Sequence, residues 1–585
     1  MSASHLSKNE IPHLRRTGTS AQLIVNGKPF LMLAGELHNS SLSSAAYMST
    51  VWPVMKAMNI NTLLGAITWE VIEPIEGTFD FNELDKIIVD ARTAGLHLVL
   101  LWFGSFKNAL STYVPSWVKR DFKRFPRVHV RDDTGRLKTT DLISPFNKQA
   151  WEADAKAFAA LMRHLREIDS GQSTVLMVQV ENETGLLGDS RDRSRGATEA
   201  FKSPVPNDLL VHLQNHEELH PLFLKRWPDF QTSSKQQENK DWESVFGIGV
   251  ATEELFMADT FARYVSQVAA AGRAEYELPL YTNTWLNTED VSILDISGVP
   301  AGDGKPTVAG GGTRPGAYPS GGPVPHLLDI WNFHTVGKGN LDFISPDIYL
   351  QDYSWICHQY RHQSNPLFIP EQKADLAGVR RIWLAYGSHQ ALGCSLFGID
   401  TVFMNAKEQE AWTRSNGLLK SMSGHILHTQ AERPDSMFGF FFDDYNGDKP
   451  HVDEWHKKFK DIDIEVTVER SFVFGKPEPG YGIVIHTGEK KFLLIGAGFR
   501  VTFESTNAAS TFTGILSAQE KTVNEEGALS TLRVLNGDET RSGAFMNMPT
   551  ESPDYGGFPI RVTIPARTYI AEVTVYSIEE SVDGF

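Results

Sequence analysis

The chain has 585 residues, 41% hydrophobic and 22% charged, with a formal charge of −17 from 55 basic and 72 acidic side chains. The length can bury a full core. The acidic balance argues against nucleic acid or an anionic membrane surface as the partner, and no apolar run approaches the roughly 18 residues that a span requires. The two cysteines, Cys357 and Cys394, can build neither a disulfide framework nor a four-ligand zinc site, and each reads as a small buried hydrophobe. The opening MSASHLSKNEIPHLRRTG lacks an apolar signal-peptide region, so a cytoplasmic location is the expectation, with a secreted mature form left open.

Eight short apolar segments follow in order: LMLAGEL, TLLGAIT, LHLVLLWF, TVLMVQV, PLYTNTW, FISPDIY, LFIPEQ and GCSLFGID. Their length and branched or aromatic content suit strands buried on both faces. Helical periodicity separates several of them. Phe81, Leu84, Ile87, Ile88 and Ala91 form one stripe, ended by Gly95. Trp151, Ala155, Phe158, Met162 and Leu165 form a second, Phe261, Tyr264, Val265 and Val268 a third, and Val379, Ile382 and Trp383 a fourth. Strands alternating with helices predict an α/β fold, a (β/α)8 TIM barrel over residues 1–430. An open doubly wound sheet is the competitor, but no G-x-G-x-x-G opens a helix. Long loops at 186–250 and 298–325 would follow the fourth and fifth strands and stand over the active face. Residues 431–585 carry period-two segments such as IEVTVER, KFLLIGAGF and YIAEVTVYSI, which predict a C-terminal β-sandwich-like domain.

Barrel chemistry sits at the carboxyl ends of strands. The acids there are Glu36, Glu70 and Glu73, Glu181 and Glu183, Asp347, Glu371 and Asp400. No HExxH, nucleophile elbow or set of ligand spacings occurs, so neither a metal nor a cofactor is expected. Burying a carboxylate after LFIP or within VQVENETG is costly unless it is paired or has a task. Glu183 and Glu371 would face each other across the mouth, and two acids flanking one bond are what glycoside hydrolysis needs. Glu181, two residues before Glu183, is expected to share its inward face one layer deeper.

These residues carry a resemblance. Asn-Glu ending strand four with Glu ending strand seven resembles the clan A retaining glycosidases. VQVENETG, TWEVIEPIEGTFDF and FLMLAGELHNS resemble motifs of glycoside hydrolase family 35, the β-galactosidases, over roughly residues 20–425. The resemblance implies Glu183 as acid/base, Glu371 as nucleophile, Asn182 as the partner of the sugar 2-hydroxyl and Tyr349 as the orienter of Glu371. It makes Trp69, Asn108 and Trp285 candidates for the sugar pocket. It further implies a retaining exo-β-galactosidase acting on oligosaccharides, those derived from plant walls included. The chain departs from the family at Thr184, usually Tyr, and in LWFGSFKNAL, which replaces a third-strand motif that contacts galactose. Another clan A β-glycosidase (β-glucosidase, β-mannosidase or arabinosidase) therefore stays open, as does a sugar-binding barrel without turnover. The expected partner is the oligosaccharide substrate, with no nucleic acid or membrane, and a homodimer is left open. Two sequons, at Asn39 and Asn182, would both lie at the barrel mouth, so either the chain never meets the glycosylation machinery, the simpler option without a signal peptide, or folding hides the site.

Overall fold

The computed structural model describes residues 11–132, 134–215, 218–228, 230, 240–288, 312–444, 454–471 and 474–579. Its contacts define two compact units. The first comprises the chain up to Arg15, Leu23–Gln372 and Ser395–Thr401; the second comprises Arg16–Gln22, Lys373–Cys394 and Val402–Phe585.

The first unit is built on seven parallel strands, the last of which gives it only Ser395–Phe397: β1 (Met32–Glu36), β2 (Thr62–Thr68), β3 (His97–Lys107), β4 (Val175–Asn182), β5 (Leu280–Trp285), β6 (Phe343–Asp347) and β7 (Gly393–Phe397). They lie in the order β6-β5-β4-β3-β2-β1-β7. Leu63, Leu98, Leu100, Val178 and Ile344 are all fully buried, as the continuous apolar runs require. The predicted seventh strand, LFIPEQ, is not a regular strand. Pro366 and Pro370 have no N–H to give a ladder, and residues 367–372 are held instead by three bonds at their flanks. Ile348 N donates to Glu371 O (2.9 Å), Ser395 N to Ile369 O (2.8 Å) and Phe397 N to Gln372 O (3.1 Å). The segment thereby joins β6 to β7 and closes the ring at the position of the missing strand.

The predicted helices are present. α1 (Ala45–Ala57) is capped by Ser44. α2 (Asn82–Ala94) buries Leu84, Ile87, Ile88 and Ala91 and ends at Gly95 in the left-handed region. α3 (Lys148–Asp169) and α4 (Val250–Glu275) carry the second and third stripes inward. Residues 186–250 contain short helices, among them Arg195–Phe201 and Trp242–Phe246. Of the 298–325 loop, residues 298–311 lie outside the described residues, and 312–324 form no helix or regular strand. No helix among the described residues is long and apolar enough to cross a membrane.

The second unit holds α5 (Leu376–Ser388), α6 (Ala406–Glu432) and ten strands: β8 (Met437–Phe442), β9 (Glu454–Phe459), β10 (Ile464–Arg470), β11 (Gly480–Gly488), β12 (Lys491–Ala497), β13 (Phe499–Ser505), β14 (Ser510–Val523), β15 (Leu529–Leu535), β16 (Met546–Met548) and β17 (Ile570–Glu579). A six-stranded sheet, β8-β11-β12-β17-β14-β15, faces a four-stranded one, β9-β10-β13-β16. Phe440, Val484, Leu494 and Val573 from the first sheet and Ile464, Val466, Phe499 and Val501 from the second share one core, which makes this a β-sandwich. α5, which reads in the sequence as a barrel helix, packs on β8 within this unit. A Cβ at Gly439 would lie 2.0 Å from the Trp383 carbonyl oxygen, so helix and strand meet backbone to backbone.

Two glycine replacements are expected to have opposite signs. Gly439→Ala forces that backbone contact apart and is expected to cost about 1–3 kcal/mol. Gly424→Ala, on exposed α6 with nothing within 4 Å of the new methyl, is expected to gain about 0.5–1 kcal/mol. Denaturant unfolding of both variants measures this directly.

Candidate active site

Five ionisable side chains from different segments meet at the carboxyl end of the barrel. Glu36 ends β1, Lys107 ends β3, Glu183 follows β4, Asp347 ends β6 and Glu371 lies in the 367–372 segment. All five are buried, with Glu183 only 7% and Glu371 5% exposed.

A bulge in β3 delivers Lys107. Trp102 stands opposite Val180 and Lys107 opposite Asn182, so β3 spends five steps (102 to 107) where β4 spends two (180 to 182). The N–H groups of Ser105 and Phe106 lose their ladder partners and donate to the Glu181 carboxylate, at 3.3 and 2.6 Å. Asp154 accepts from Trp102 Nε1 and again from Ser105 N, both at 2.9 Å. Gly104 fits the bend because a Cβ there would lie 2.4–2.6 Å from Trp102 Nε1, Asp154 Oδ1 and Glu181 Oε1. Glu181 therefore does not share the inward face of Glu183. Its φ of 60° breaks the pleat and turns its carboxylate to the bulge. Burial, followed by the nearby Asp154 charge, pushes its carboxyl well above the usual range.

Glu183 also sits in the left-handed region, with a φ of 45°, a strained conformation typical of functional positions. Its N–H donates to Asn283 Oδ1 (2.8 Å), and Asn283 Nδ2 donates to Asp347 Oδ2 (2.7 Å). Glu183, Asp347 and Glu371 each present an oxygen within 4.8 Å of the others. Burial first, and the Glu371 charge second, raise the Glu183 carboxyl to about 8. The same two causes, in the same order, push Glu36 and Asp347 well above the usual carboxylate range. Glu36 has no N–H or hydroxyl donor on either oxygen among the described residues; its partner is the Glu371 carboxyl, a contact that raises Glu36 further. Tyr349 donates its hydroxyl to Glu371 Oε2 at 2.7 Å. Burial, then Glu371, holds that phenol above its ordinary range. Burial pulls the Lys107 ammonium down, but Glu371, Glu183, Glu36 and Asp347 together more than offset this, so it remains charged. The three clustered carboxyl oxygens have a spacing that a cation can bridge; Lys107 brings a positive charge to the same place from within the chain.

The remaining candidates divide. Asn182 accepts from Lys107 Nζ (2.9 Å), and its Nδ2 is buried without an acceptor among the described residues. Asn108, with a φ of 52°, keeps a buried Oδ1 without a donor among the described residues. Trp285 is half-buried at the end of β5, in register with Asp347. Trp69 is fully buried; its Nε1 donates to Glu73 (2.8 Å) and its ring meets Trp117 edge-on, so it offers no surface to a ligand. Glu73 also accepts from Gly77 N (2.7 Å) and fastens a turn, while Glu70 pairs with Lys119 at 3.4 Å. Asp400 accepts from His38, Ser41 and Tyr47. The sequence reading named Asp347 without giving it a role and passed over Asn283 and Lys107. Asp347 had the signal that singled out Glu371, a carboxylate closing an apolar run; Lys107 closes LVLLWFGSFK in the same way.

Residues 44–246 match the model of glycoside hydrolase family 42, described as beta-galactosidase, and residues 412–547 match a domain of unknown function, DUF5597. The chain is 26% identical over 174 residues to a beta-galactosidase of Xanthomonas manihotis, covering 29% of this chain and 26% of that protein. It is 28% identical over 195 residues to beta-galactosidase-1-like protein 3 of Homo sapiens, covering 31% and 27%. The chain thus spans about a quarter of the length of these curated relatives. Among solved structures, the beta-galactosidase from the psychrophilic Marinomonas ef1 aligns with a TM-score of 0.44 at 14% identity, over 68% of this chain and 62% of that one. By these sequence matches the first half of the barrel is similar to β-galactosidase-like glycoside hydrolases of clan A, and the family model it matches is that of family 42.

The raised acid has a cost in stability that depends on pH. Folded Glu183 keeps its proton to about pH 8, while an unfolded glutamate loses it near about 4.3. Between those values unfolding releases a proton, so this contribution destabilises the fold progressively as pH rises. Glu183→Gln removes the effect. The variant is expected to unfold at a higher temperature than the wild type, with a margin that widens from pH 5 to pH 8. Thermal melts across that range check it, and a margin that stays flat or narrows contradicts the protonated state.

Proposed function

We propose that the protein is a retaining β-glycosidase, an exo-acting β-galactosidase of the family 35 type working on oligosaccharides. The carrying observation is the buried pair Glu183 and Glu371. One acid is raised to about 8 and the other is held by a phenol at 2.7 Å, with oxygens within 4.8 Å. That spacing supports direct attack, since retaining enzymes hold the two carboxyl groups about 5–5.5 Å apart and inverting ones roughly 6.5–9.5 Å to admit a water.

In this reading Glu371 attacks the anomeric carbon while Glu183 gives its proton to the departing glycosidic oxygen. Glu371 becomes an ester and loses its charge. The chief electrostatic cause of the high Glu183 pKa is then gone, and Glu183 takes a proton from the water that hydrolyses the ester. Tyr349 holds Glu371 in line, and Asn182 Nδ2 is the free donor for the sugar 2-hydroxyl. Trp285 and Asn108 border the glycone. The matches to beta-galactosidases over the first half of the barrel support galactose. The third-strand bulge favours the second reading, another clan A glycone, because Lys107 and Asn108 stand where family 35 keeps galactose contacts.

A panel of nitrophenyl β-glycosides separates the two readings: β-galactoside is expected to be the best substrate, and a clear preference for the gluco or manno analogue moves the protein to the second. Glu183→Gln is expected to lower cleavage of an unactivated disaccharide by roughly 10²–10⁴, with a smaller loss on an activated aryl glycoside and partial recovery with azide. Wild-type cleavage of the disaccharide by that variant removes Glu183 from the acid role.

A further inference from the structure

The quartet of buried carboxyl groups contains one cation, and the mechanism described above does not use it. Lys107 reaches the barrel mouth only because β3 bulges, and the bulge is supported by Gly104, Glu181 and Asp154. Its ammonium lies over the Phe103 ring, 4.7 Å from the centroid. One of its N–H groups donates to Asn182 Oδ1 at 2.9 Å. An amide has one acceptor end and one donor end. With the acceptor end taken by Lys107, the donor end Nδ2 is the one left buried and unsatisfied. Without Lys107 nothing in this contact distinguishes the two orientations of the amide.

The charge count points the same way. The ionisable groups around the ammonium are Glu36 from β1, Glu183 after β4, Asp347 from β6, Tyr349 just beyond it and Glu371 from the closing segment, with Tyr281 of β5 facing Glu36, Asp347 and Glu371. Burial first, and the Glu371 charge second, raise the carboxyls of Glu36, Glu183 and Asp347, and burial raises the phenols of Tyr281 and Tyr349. A buried ammonium needs a counter-charge, and among the four carboxyls Glu371 acts most strongly on Lys107.

We infer that Lys107 is a positioning residue with two linked tasks: it fixes the Asn182 amide with Nδ2 toward the 2-hydroxyl of the glycone, and it is the internal counter-ion that lets Glu371 carry the single negative charge of the cluster. The first task rests on the retaining-glycosidase reading; the second does not.

Lys107→Met keeps the stem and removes the charge, and Lys107→Arg keeps the charge. Thermal melts establish that each variant is folded. In Lys107→Met the ratio of kcat/KM for nitrophenyl β-galactoside to that for its 2-deoxy analogue is expected to fall at least tenfold, with the acid limb of the pH profile moving to higher pH and Lys107→Arg restoring part of both. A merely structural lysine lowers stability and leaves the ratio and the limb in place. The counter-ion task is read without turnover, by carbon-13 NMR of glutamate carboxyl groups, with the Glu371 signal identified by its loss in Glu371→Gln. At pH 7 it is expected as carboxylate in the wild type and as carboxylic acid in Lys107→Met. Undiminished 2-hydroxyl dependence overturns the Asn182 task, and an unchanged Glu371 signal overturns the counter-ion task. Absence of any glycosidase activity overturns the functional reading and with it the Asn182 task, while the NMR result still decides the charge.

Discussion

Four carboxyl groups buried around one ammonium set the terms for the rest of this barrel. Ionising all four away from water is prohibitive, and the carboxyls of Glu36, Glu183 and Asp347 are accordingly raised beside the charge of Lys107. A raised acid beside a second carboxyl is what the proposed glycosidase chemistry calls for. In the proposed mechanism the Glu371 charge adds to burial in holding the Glu183 proton, and loss of that charge lets Glu183 act as a base. Burial makes the larger part of the rise in the Glu183 carboxyl, and the field of Glu371 adds to it.

The scaffold spends much of its local irregularity on this arrangement. The β3 bulge costs ladder bonds, and Glu181 and Asp154 restore acceptors for the freed N–H groups. Glu183 and Asn108 take left-handed conformations that unbranched strand geometry avoids. Pro366 and Pro370 keep the seventh position from becoming a strand, yet its flanking bonds to Ile348, Ser395 and Phe397 hold Glu371 in place. Asn283 ties Glu183 on one side to Asp347 on the other. Three neighbouring segments are thereby fixed relative to one another before any ligand arrives, which is the preorganisation that electrostatic catalysis requires.

The barrel was legible in the sequence because long apolar runs between amphipathic stripes have few other solutions. The sandwich was legible because period-two alternation persists through it. The pair Glu183 and Glu371 stood out because each closes an apolar run. What could not be read was local. Nothing in LWFGSFKNAL announces a bulge, since Gly, Ser and Lys at a strand end read equally well as an ordinary turn, and the two extra N–H acceptors that support it come from residues distant in sequence. The inward placing of Glu181 failed for that reason: period-two reasoning assumes an unbroken pleat. Trp69 is a pocket candidate only through the family resemblance, and its indole N–H is committed to Glu73 four residues on. The placement of α5 with the sandwich depends on Gly387 and Gly439 allowing close backbone approach, a pairing that no local pattern reveals.

The central claim is that Glu371 forms a covalent bond to the sugar. A 2-deoxy-2-fluoro-β-galactoside with a good leaving group slows both chemical steps and accumulates the intermediate. Incubation followed by intact-mass measurement and peptide mapping is predicted to find one fluorosugar per chain, attached to Glu371. A label on any other residue, or rapid turnover by inversion with no adduct at all, would contradict the account.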